Sequence, residues 1–340
     1  MKDLIGYKHG VNLGGWFSQC DYSKDRFDNF IKEEDFKTIS KLGFDHVRIP
    51  VDYNLVLDDK GNYLEEGFTR LDNAFNLCKK YNLNAILDLH KTVGYSFDKG
   101  EKETGLFDST EYQEKFYSLW LEFTKRFASY ENFLAFELLN EISLKEYKDT
   151  WNKVASTCIK KIRELSKTIK IIVGGYYFNS VLAVKDIDVP IDDNIIFTFH
   201  CYEPLIFTHQ GAYWIDGMNT SYRFKYKSTI KKYIEGSEKN LDHTKYDFDG
   251  MDENYVPDAN FFEHIFKEAI DVANTKNVYL YCGEYGVIDK ANIEDTLLWY
   301  QDIHSVFNKY NIGHALWSYK EMDFGLMDSR MDSIRNKITN

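Results

Sequence analysis

The sequence lacks the cysteine and histidine spacings of metal-binding and redox proteins. Five cysteines occur, at positions 20, 78, 158, 201 and 282, and none forms a C-x-x-C pair, which argues against a zinc ribbon or a thioredoxin-like site. Their odd number and wide spacing argue against a disulfide framework, so we expect free thiols packed as small hydrophobic groups. There is also no H-E-x-x-H motif, and neither a metal nor another cofactor is predicted.

Long apolar runs are absent as well. No stretch approaches the ~18 apolar residues of a membrane span, and residues 1–6 contain no apolar segment of the kind found in signal peptides. We therefore expect a soluble chain with no membrane partner. A cytosolic protein and a secreted protein whose signal has been removed are both compatible with the sequence.

Basic residues are in deficit. Lys and Arg number 42 against 54 Asp and Glu, which gives a net charge of −12. Nucleic-acid binding needs clustered basic residues, so no nucleic-acid partner is expected, and a neutral substrate fits an acidic surface better. Aromatic residues make up 16% of the chain. Most are expected in the core of a monomer, and a few as exposed platforms for the apolar faces of sugar rings.

Short β-rich segments alternate with longer amphipathic ones, which is the pattern of βαβ units around a parallel sheet. Strands are predicted at residues 9–13, 46–50, 85–90, 134–140, 171–174, 195–200, 278–283 and 314–317. Helices are predicted at 34–42, 70–81, 112–127, 151–165, 262–273 and 294–310, with a short helical tail after Met331. This order fits a closed (β/α)8 TIM barrel better than an open sheet, and the 340 residues fit one catalytic domain, 1–340.

One connection is far longer than a βα unit requires. It follows the sixth strand and runs from residue 202 to residue 278. Disordered linkers contain few aromatic residues, whereas this segment contains Tyr213, Trp214, Phe224 and Tyr233. The sequence therefore predicts a folded, lid-like insertion subdomain at 203–260, on the barrel face where active sites form.

Polar side chains recur where the apolar strands end. Because side chains alternate along a strand, Glu141 is predicted to share a face with Glu137 and Leu139, and Glu284 with Cys282. The ends of other strands carry Arg48, His90, His200, Tyr202 and Trp317. Any one of these is readily explained by capping or core packing, but six groups from different strands predict one site at the C-terminal face of the barrel.

Two glutamates on opposite sides of a barrel suit the hydrolysis of a glycosidic bond. One carboxyl must hold a proton, and the other must stay ionised to attack the anomeric carbon. Arg48 near Glu284 would favour the ionised form of Glu284, and no cation stands beside Glu141 in the sequence. We therefore predict a retaining β-glycosidase with Glu141 as general acid/base and Glu284 as nucleophile, the two carboxyl groups lying about 5–5.5 Å apart.

The same residues resemble glycoside hydrolase family 5. The resemblance covers nearly the whole chain, in order, and rests on Asn12-Leu13-Gly14-Gly15-Trp16, Val47-Arg48-Ile49-Pro50, His90, Asn140-Glu141, His200-Cys201-Tyr202, Gly283-Glu284-Tyr285-Gly286 and Trp317. It implies a (β/α)8 barrel, retaining double displacement, and the same roles for the two glutamates.

Further roles are implied by the resemblance alone. Asn140 would bind the 2-hydroxyl of the sugar in subsite −1, Tyr202 would donate to the nucleophile, His200 would contact the acid/base or the substrate, Arg48 would orient the nucleophile, and Trp317 would be the platform of subsite −1. His90 and Trp16 are implied to bind or support the substrate. Lys91 stands where many members have a second histidine, so one substrate contact departs from the family pattern.

Within this family the segment from Thr208 to Trp214 and the long insertion resemble clostridial endoglucanases with a helical lid. That similarity favours an endo-β-1,4-glucanase (a cellulase), acting also on mixed-linkage β-glucan, with Trp214 as a further sugar platform. An exo-acting β-glycosidase on short gluco-oligosaccharides, or a mannanase or glucomannanase, stays open, because fold similarity does not fix the substrate. More distant alternatives are a metal-dependent barrel hydrolase using His90, His200 and a carboxylate, and a non-catalytic sugar-binding protein.

Overall fold

Eight parallel strands close into a barrel in the computed structural model, which describes residues 1–98, 100–101, 103–241 and 248–339. The strands are β1 (His9–Asn12), β2 (His46–Asp52), β3 (Asn84–Lys91), β4 (Leu134–Glu137), β5 (Lys170–Val173), β6 (Ile195–Cys201), β7 (Tyr279–Tyr285) and β8 (Gly313–Leu316). Each strand pairs with the next one along the chain, and β8 pairs with β1. The predicted (β/α)8 barrel is confirmed.

Helices surround the barrel. They are α1 (Lys24–Asn29), α2 (Glu33–Lys41), α3 (Glu65–Lys80), α4 (Thr110–Phe127), α5 (Lys148–Leu165), α6 (Tyr176–Asn179), α7 (Leu205–Thr208), α8 (Ile230–Asn240), α9 (Ala259–Lys276), α10 (Ile293–Tyr310) and α11 (Arg335–Thr339). In α3, Phe68, Leu71, Phe75 and Cys78 are buried, because residues three and four apart lie on one helical face. No helix among the described residues is long and apolar enough to cross a membrane.

Local signals explain where several elements end. The side chain of Asn292 accepts hydrogen bonds from the first backbone N–H groups of α10, and Asn311 ends the helix with φ 54°, a conformation that asparagine tolerates better than most residues. The largest difference from the predicted boundaries is at α3, which begins at Glu65, five residues before the prediction. Differences of three residues occur at α5, at both ends of α9 and at β4, which ends at Glu137 instead of residue 140. The early end of β4 matters for the site described below.

The barrel interior changes character along its axis. Its lower layer is apolar and is formed by Ile86, Ala135, Ile172, Ile196, Tyr281 and Ala315. The layer nearer the C-terminal ends of the strands contains the fully buried polar residues Asn12, Arg48, Asp88 and Glu137. Buried charges are stable only when they are paired and hydrogen-bonded, so this upper layer has to form a connected network.

The insertion after β6 has an aromatic core of its own. Tyr226 packs on Phe207 with ring centroids 5.2 Å apart, and Tyr233 packs on Phe224 at 4.6 Å. The Tyr226 hydroxyl donates to Asp302 of α10 over 2.9 Å, which ties the insertion to the barrel. Within the predicted range 203–260, residues 242–247 lie outside the part that the structure describes.

A histidine cluster lies at the opposite end of the barrel from the site. The rings of His9, His304 and His314 have centroids 5.2 to 5.9 Å apart. Burial lowers the pKa of His9 to about 4 and that of His304 to about 3, and it also lowers the pKa of His314. The folded protein therefore holds three uncharged histidines that the unfolded chain would protonate near its ordinary pKa of about 6.5.

This cluster predicts a loss of stability in acid. Above pH 6.5 or so the histidines are neutral in both states; as the pH falls towards 4, only the unfolded chain takes up the protons, so the free energy of unfolding falls by up to about 1.4 kcal/mol per pH unit for each group. Urea titrations between pH 7 and pH 4 should show this slope. His9→Phe should reduce the slope by up to about 1.4 kcal/mol per pH unit, the contribution of one proton. His264→Phe, at an exposed position of α9, is the control. An unchanged slope in His9→Phe would contradict the assignment.

Candidate active site

Arg48 is the hub of the upper barrel layer. It projects from β2 and is fully buried. Its guanidinium contacts Glu137 at 2.7 and 3.1 Å, Glu284 at 2.8 Å, Asn140 at 2.8 Å, Asn12 at 2.9 Å and Asp88 at 3.0 Å. The planar guanidinium offers donors in a fixed fork, so this one side chain positions groups from β1, β3, β4 and β7.

The charges around Arg48 are unbalanced. One cation faces the carboxyl groups of Asp88, Glu137 and Glu284. Burial raises the pKa of Asp88 to about 7 and raises that of Glu137, while the Arg48 charge acts in the opposite direction on both. The network is stable because these carboxyl groups share the guanidinium and can share protons.

Removing the Arg48 charge is expected to destabilise the fold. Arg48→Met should lower the free energy of unfolding by about 3–5 kcal/mol, because it leaves buried carboxylates without their cation. The loss should be smaller at pH 5 than at pH 8, since protonation relieves the repulsion. Urea unfolding checks this, with Arg70→Met as the control: Arg70 pairs with exposed carboxylates, and such pairs contribute about 1 kcal/mol or less. Equal losses in the two variants would contradict the account.

The carboxylate of Glu284 accepts a hydrogen bond at each of its oxygens. Its Oε1 accepts from Arg48 over 2.8 Å, and its Oε2 accepts from the Tyr202 hydroxyl over 3.0 Å. Burial raises its pKa, and both the Arg48 charge and the Tyr202 hydrogen bond oppose that rise. Two donors on one carboxylate favour its charged form, as a nucleophile requires.

Glu141 has the opposite surroundings. Its Oε1 lies 2.7 Å from Nδ1 of His200, and burial together with the negative charge of Glu284 raises its pKa well above the ordinary value. Burial lowers the pKa of His200 well below its ordinary value, so this histidine is neutral. Of the two glutamates, Glu141 is therefore the one that retains a proton near neutral pH.

The two carboxyl groups are close together. An oxygen of Glu141 and an oxygen of Glu284 lie within 4.8 Å of each other, and His200 Nδ1 lies 2.7 Å from Glu141 and 3.6 Å from Glu284. Retaining glycosidases have carboxyl groups about 5–5.5 Å apart, and inverting enzymes need about 6.5 Å or more to place a water molecule between carboxyl and sugar. The spacing here fits the retaining geometry.

His90 and Asn140 lie beside each other, next to the network around Arg48. Nδ1 of His90 lies 2.6 Å from Asp88, and Nε2 lies 3.4 Å from Nδ2 of Asn140. The Asn140 Oδ1 accepts from Arg48, which directs the amide nitrogen away from the guanidinium. Among the described residues, the ligand atoms close enough to share an ion belong to Glu141, His200 and Glu284. His90 is not among them, so the ligand set named for the metal-dependent alternative, His90 with His200 and a carboxylate, is not assembled.

Trp317 closes the site on the β8 side. Its ring lies parallel to that of His90, at an interplanar angle of 4° and a centroid distance of 5.8 Å. Gly14, from the motif after β1, lies against this indole: a Cβ at position 14 would be 2.8 Å from the ring. A side chain there would displace Trp317, which explains a glycine at this position.

The two other predicted tryptophans differ in setting. Trp214 is 39% exposed, and its ring lies 6.0 Å from His209, which in turn packs on Tyr202 at 4.9 Å. Trp16 is buried; it stacks on Phe17 at 3.8 Å and donates from its indole nitrogen to a backbone carbonyl. Trp214 is thus at the rim, where a sugar could reach it, whereas the contacts of Trp16 are those of a core residue.

The predicted side-chain faces were wrong in two places. Leu280 and Cys282 pack outward against the helices, whereas Tyr281 points into the barrel. The pairing of β6 with β7 skips Gly283, so Glu284 pairs with His200 and turns inward. Such a bulge reverses the alternation.

Gly283 allows this bulge, because a Cβ at that position would lie 3.0 Å from His200 Nε2. In β4 the strand ends at Glu137, and Leu139 packs outward with the helices. Leu139 therefore does not share a face with Glu137, and the period of two cannot be extended beyond the last strand residue.

Some residues of the site were not predicted. The Tyr95 hydroxyl donates to the backbone carbonyl of Glu141 over 2.7 Å, and Asn179 approaches His200. The ammonium of Lys91, the residue that departs from the family pattern, contacts Glu101 at 2.8 Å and Tyr22 at 2.9 Å. Tyr95 lies in the loop after β3 and Asn179 at the end of the four-residue α6, where no periodic pattern singles them out.

Comparisons with known proteins show the family to which the chain belongs. The model of the cellulase family, glycosyl hydrolase family 5, matches residues 7–323. Cellodextrinase A of Ruminococcus flavefaciens is 43% identical over 307 residues, which cover 90% of this chain and 84% of that protein. Endoglucanase C of Acetivibrio thermocellus is 37% identical over 343 residues, covering 99% and 98%. The crystal structure of an endoglucanase from Thermotoga maritima superposes with a TM-score of 0.76 at 25% identity, covering 98% and 96%.

Proposed function

Because the chain belongs to glycoside hydrolase family 5, the cellulase family, we propose that it cleaves β-1,4-linked glucan by double displacement, with Glu284 as nucleophile and Glu141 as acid/base. The predictions of the family, the enzyme class and the fold are confirmed. The observation that carries the residue roles is the asymmetry of the two glutamates: Arg48 and Tyr202 donate to Glu284, while the Glu141 carboxyl contacts the neutral His200 and its pKa is raised by the charge of Glu284.

In the first step a carboxylate oxygen of Glu284 attacks the anomeric carbon. The bond from that carbon to the glycosidic oxygen breaks, and Glu141 gives its proton to this oxygen, so the leaving chain departs as an alcohol. Formation of the ester removes the negative charge of Glu284. Because that charge helps to raise the pKa of Glu141, the pKa of Glu141 falls once the ester has formed.

In the second step Glu141 acts as a base. It takes a proton from water, the resulting hydroxide attacks the anomeric carbon, and Glu284 leaves as a carboxylate. Arg48 and Tyr202 stabilise the negative charge that returns to Glu284. The activity should be bell-shaped in pH, with the acidic limb set by ionisation of the pair and the alkaline limb by loss of the Glu141 proton.

Endo and exo action leave different products. Endoglucanase C supports internal cleavage of long chains, and cellodextrinase A supports the alternative, the trimming of short gluco-oligosaccharides. We propose internal cleavage, because the relative that covers 99% of this chain is an endoglucanase. The insertion 203–260 is proposed to border the cleft, with Trp214 at its rim.

The test is hydrolysis of a polysaccharide panel with products resolved over time: carboxymethyl-cellulose, mixed-linkage β-glucan, glucomannan, galactomannan, laminarin and xylan. Rapid loss of viscosity on the first two is expected, and Glu284→Gln prepared in the same way controls for contaminating enzymes. Release of glucose or cellobiose from short oligomers without viscosity loss would instead support the exo-acting alternative. Greater activity on galactomannan would support a mannanase, and binding without turnover a sugar-binding protein.

Trp214 should matter in proportion to the length of the substrate. Trp214→Ala is expected to raise KM for cellohexaose about three- to tenfold, the equivalent of one aromatic contact of roughly 1 kcal/mol. An aryl β-cellobioside, too short to span the cleft, should be hydrolysed with its wild-type kcat/KM and serves as the internal control. Equal loss on both substrates together with a lower Tm would show that Trp214 only packs within the insertion.

A further inference from the structure

The short element α6, which follows β5 beside the site, is a left-handed turn from Tyr177 onward. Tyr177, Phe178 and Asn179 have φ values of 52°, 57° and 55°, a conformation unfavourable for residues with side chains and rarely seen three times in succession. The turn is held by a hydrogen bond from the Phe178 N–H to the carbonyl of Ile142 and by pairing of Ser180 with His200. Strained backbone of this kind concentrates at functional sites.

The turn delivers the side chain of Asn179 to His200. Asn179 is fully buried, and its Nδ2 lies 3.4 Å from Nε2 of His200. Its Oδ1 has no hydrogen-bond partner among the described residues. Gly174 provides the space, because a Cβ there would come within 2.2 Å of Oδ1. Gly174, the residue after β5, therefore confines the amide on its oxygen side. The nitrogen of the amide is directed to His200.

The other nitrogen of His200 limits where its proton can be. Nδ1 lies 2.7 Å from Glu141 Oε1 and 3.6 Å from Glu284 Oε2, and carboxylate oxygens accept hydrogen bonds. A neutral imidazole has one N–H donor and one bare nitrogen. With the proton on Nδ1, Nε2 is bare and needs a donor, and the Asn179 amide is the group that supplies one.

We propose that Asn179 is a positioning residue for the acid/base: by donating to His200 Nε2 it keeps the His200 proton on Nδ1, and so keeps the Glu141 proton on Oε2. This rests on the proposed role of Glu141 as general acid. Glu141 Oε1 then accepts from His200, whereas Oε2 accepts no hydrogen bond from any described residue. The proton is thereby left on the oxygen that is free to meet the glycosidic oxygen.

Rotating the Asn179 amide by half a turn would reverse this order. Oδ1 would then accept from a proton on Nε2, and Nδ1 would be bare. The bare Nδ1 would accept the Glu141 proton from Oε1, which holds that proton away from the substrate. The direction of one side-chain amide thus decides which oxygen of Glu141 carries the acidic proton.

Other charged groups also face Glu141 and His200. They come from β2, β3, the loop after β3, β6 and β7 and are Arg48, Asp88, His90, Asp98, Tyr202 and Glu284. All of them are unchanged when only Asn179 is replaced. A change in tautomer or in the alkaline limb of such a variant is therefore attributable to the amide.

The first measurement needs no variant. Protein labelled with ¹⁵N-histidine shows which nitrogen of each ring carries the proton, and His200→Phe identifies the signals of His200. A protonated Nδ1 and a bare Nε2 in the wild-type protein are expected at the pH of full activity. A protonated Nε2 with a bare Nδ1 would overturn the proposal and leave the proposed function untouched.

Asn179→Gly removes the amide without straining the turn, because glycine adopts positive φ freely. The Nε2–H tautomer should then gain about fivefold, the equilibrium equivalent of one typical hydrogen bond. The kcat on β-glucan should fall about two- to fivefold, since part of the Glu141 population carries its proton on Oε1. The alkaline limb of kcat should nevertheless move to higher pH by roughly half a unit. The protonated form of Glu141 is then stabilised in two ways, with its proton on Oε2 or with its proton on Oε1 and donated to Nδ1 of His200, and this raises the pKa of Glu141.

Phe178→Gly is the matched control. It relieves the same left-handed turn and keeps the amide, so the His200 tautomer and the alkaline limb should remain as in the wild type. If Asn179→Gly and Phe178→Gly lowered kcat equally with unchanged tautomer and limb, Asn179 would be merely structural and the proposal wrong. If Asn179→Gly changed the tautomer but not the alkaline limb, the link from His200 to the acid would be wrong, and the role of Glu141 would be the claim to revise.

Discussion

Glu284→Ala is expected to lower kcat on β-glucan by about 10⁴-fold or more, because the variant lacks the carboxylate that forms the covalent intermediate. Arg48 and Tyr202 fix the orientation of the Glu284 side chain, because they donate to the two oxygens of its carboxylate. The variant should still fold, since it removes a carboxyl from a network with excess negative charge. Hydrolysis of an aryl β-cellobioside, with melting measured in parallel, checks both statements.

Azide supplies the missing nucleophile in this variant. A small anion can enter the space left by the carboxylate and attack the anomeric carbon, and the expected product is the glycosyl azide of inverted configuration. Glu137→Gln is a useful comparison, because Glu137 also pairs with Arg48 but is fully buried, whereas Glu284 is 5% exposed; azide should not restore its activity. Rescue by azide in Glu137→Gln, or none in Glu284→Ala, would contradict the assignment of the nucleophile.

Glu141→Ala is expected to show a loss that depends on the leaving group. General acid/base catalysis contributes typically 10²–10⁴-fold, so hydrolysis of β-glucan, whose leaving group is a sugar alcohol, should fall by about that factor. Formation of the intermediate from a substrate with an acidic phenol should be nearly normal, because such a leaving group departs without a proton. Rates for a series of aryl β-cellobiosides check this.

The second half of the reaction separates Glu141 from Glu284. With the base removed, the intermediate of an activated substrate should accumulate and give a burst of phenol. Azide should then release a glycosyl azide of retained configuration, since two displacements have occurred. An equal loss for all leaving groups, or an inverted azide from Glu141→Ala, would show that Glu141 is not the acid/base.

Much of this molecule could be predicted because a polar residue after an apolar run marks the end of several barrel strands. Apolar runs give way to a polar residue at His90, His200 and Glu284, and parallel strands bring such ends to one face. The fold followed from the same alternation of strands and helices. Arg48 was predicted beside Glu284, and the 2.8 Å contact agrees with that expectation.

The failures share a physical cause, which is irregular backbone. Period-two reasoning assumes a continuous strand, and it failed at the bulge beside Gly283 and after Glu137, where β4 ends. Asn179 was not found because three left-handed residues carry it to His200, and nothing in a propensity pattern predicts such a turn. Trp16 was predicted from a motif to bind or support the substrate; its buried contacts are those of a supporting residue, and its role stays a prediction.

The central claim, double displacement through Glu284, is tested most directly by trapping the covalent intermediate. In a 2-deoxy-2-fluoro-β-cellobioside with a good leaving group, the fluorine slows both steps and the leaving group restores the rate of the first. The ester therefore accumulates and can be located by mass spectrometry of peptides. The account predicts one added 2-deoxy-2-fluoro-cellobiosyl group, on the peptide that contains Glu284 and on that side chain. A label on another carboxyl, or turnover with inverted configuration and no label, would contradict it.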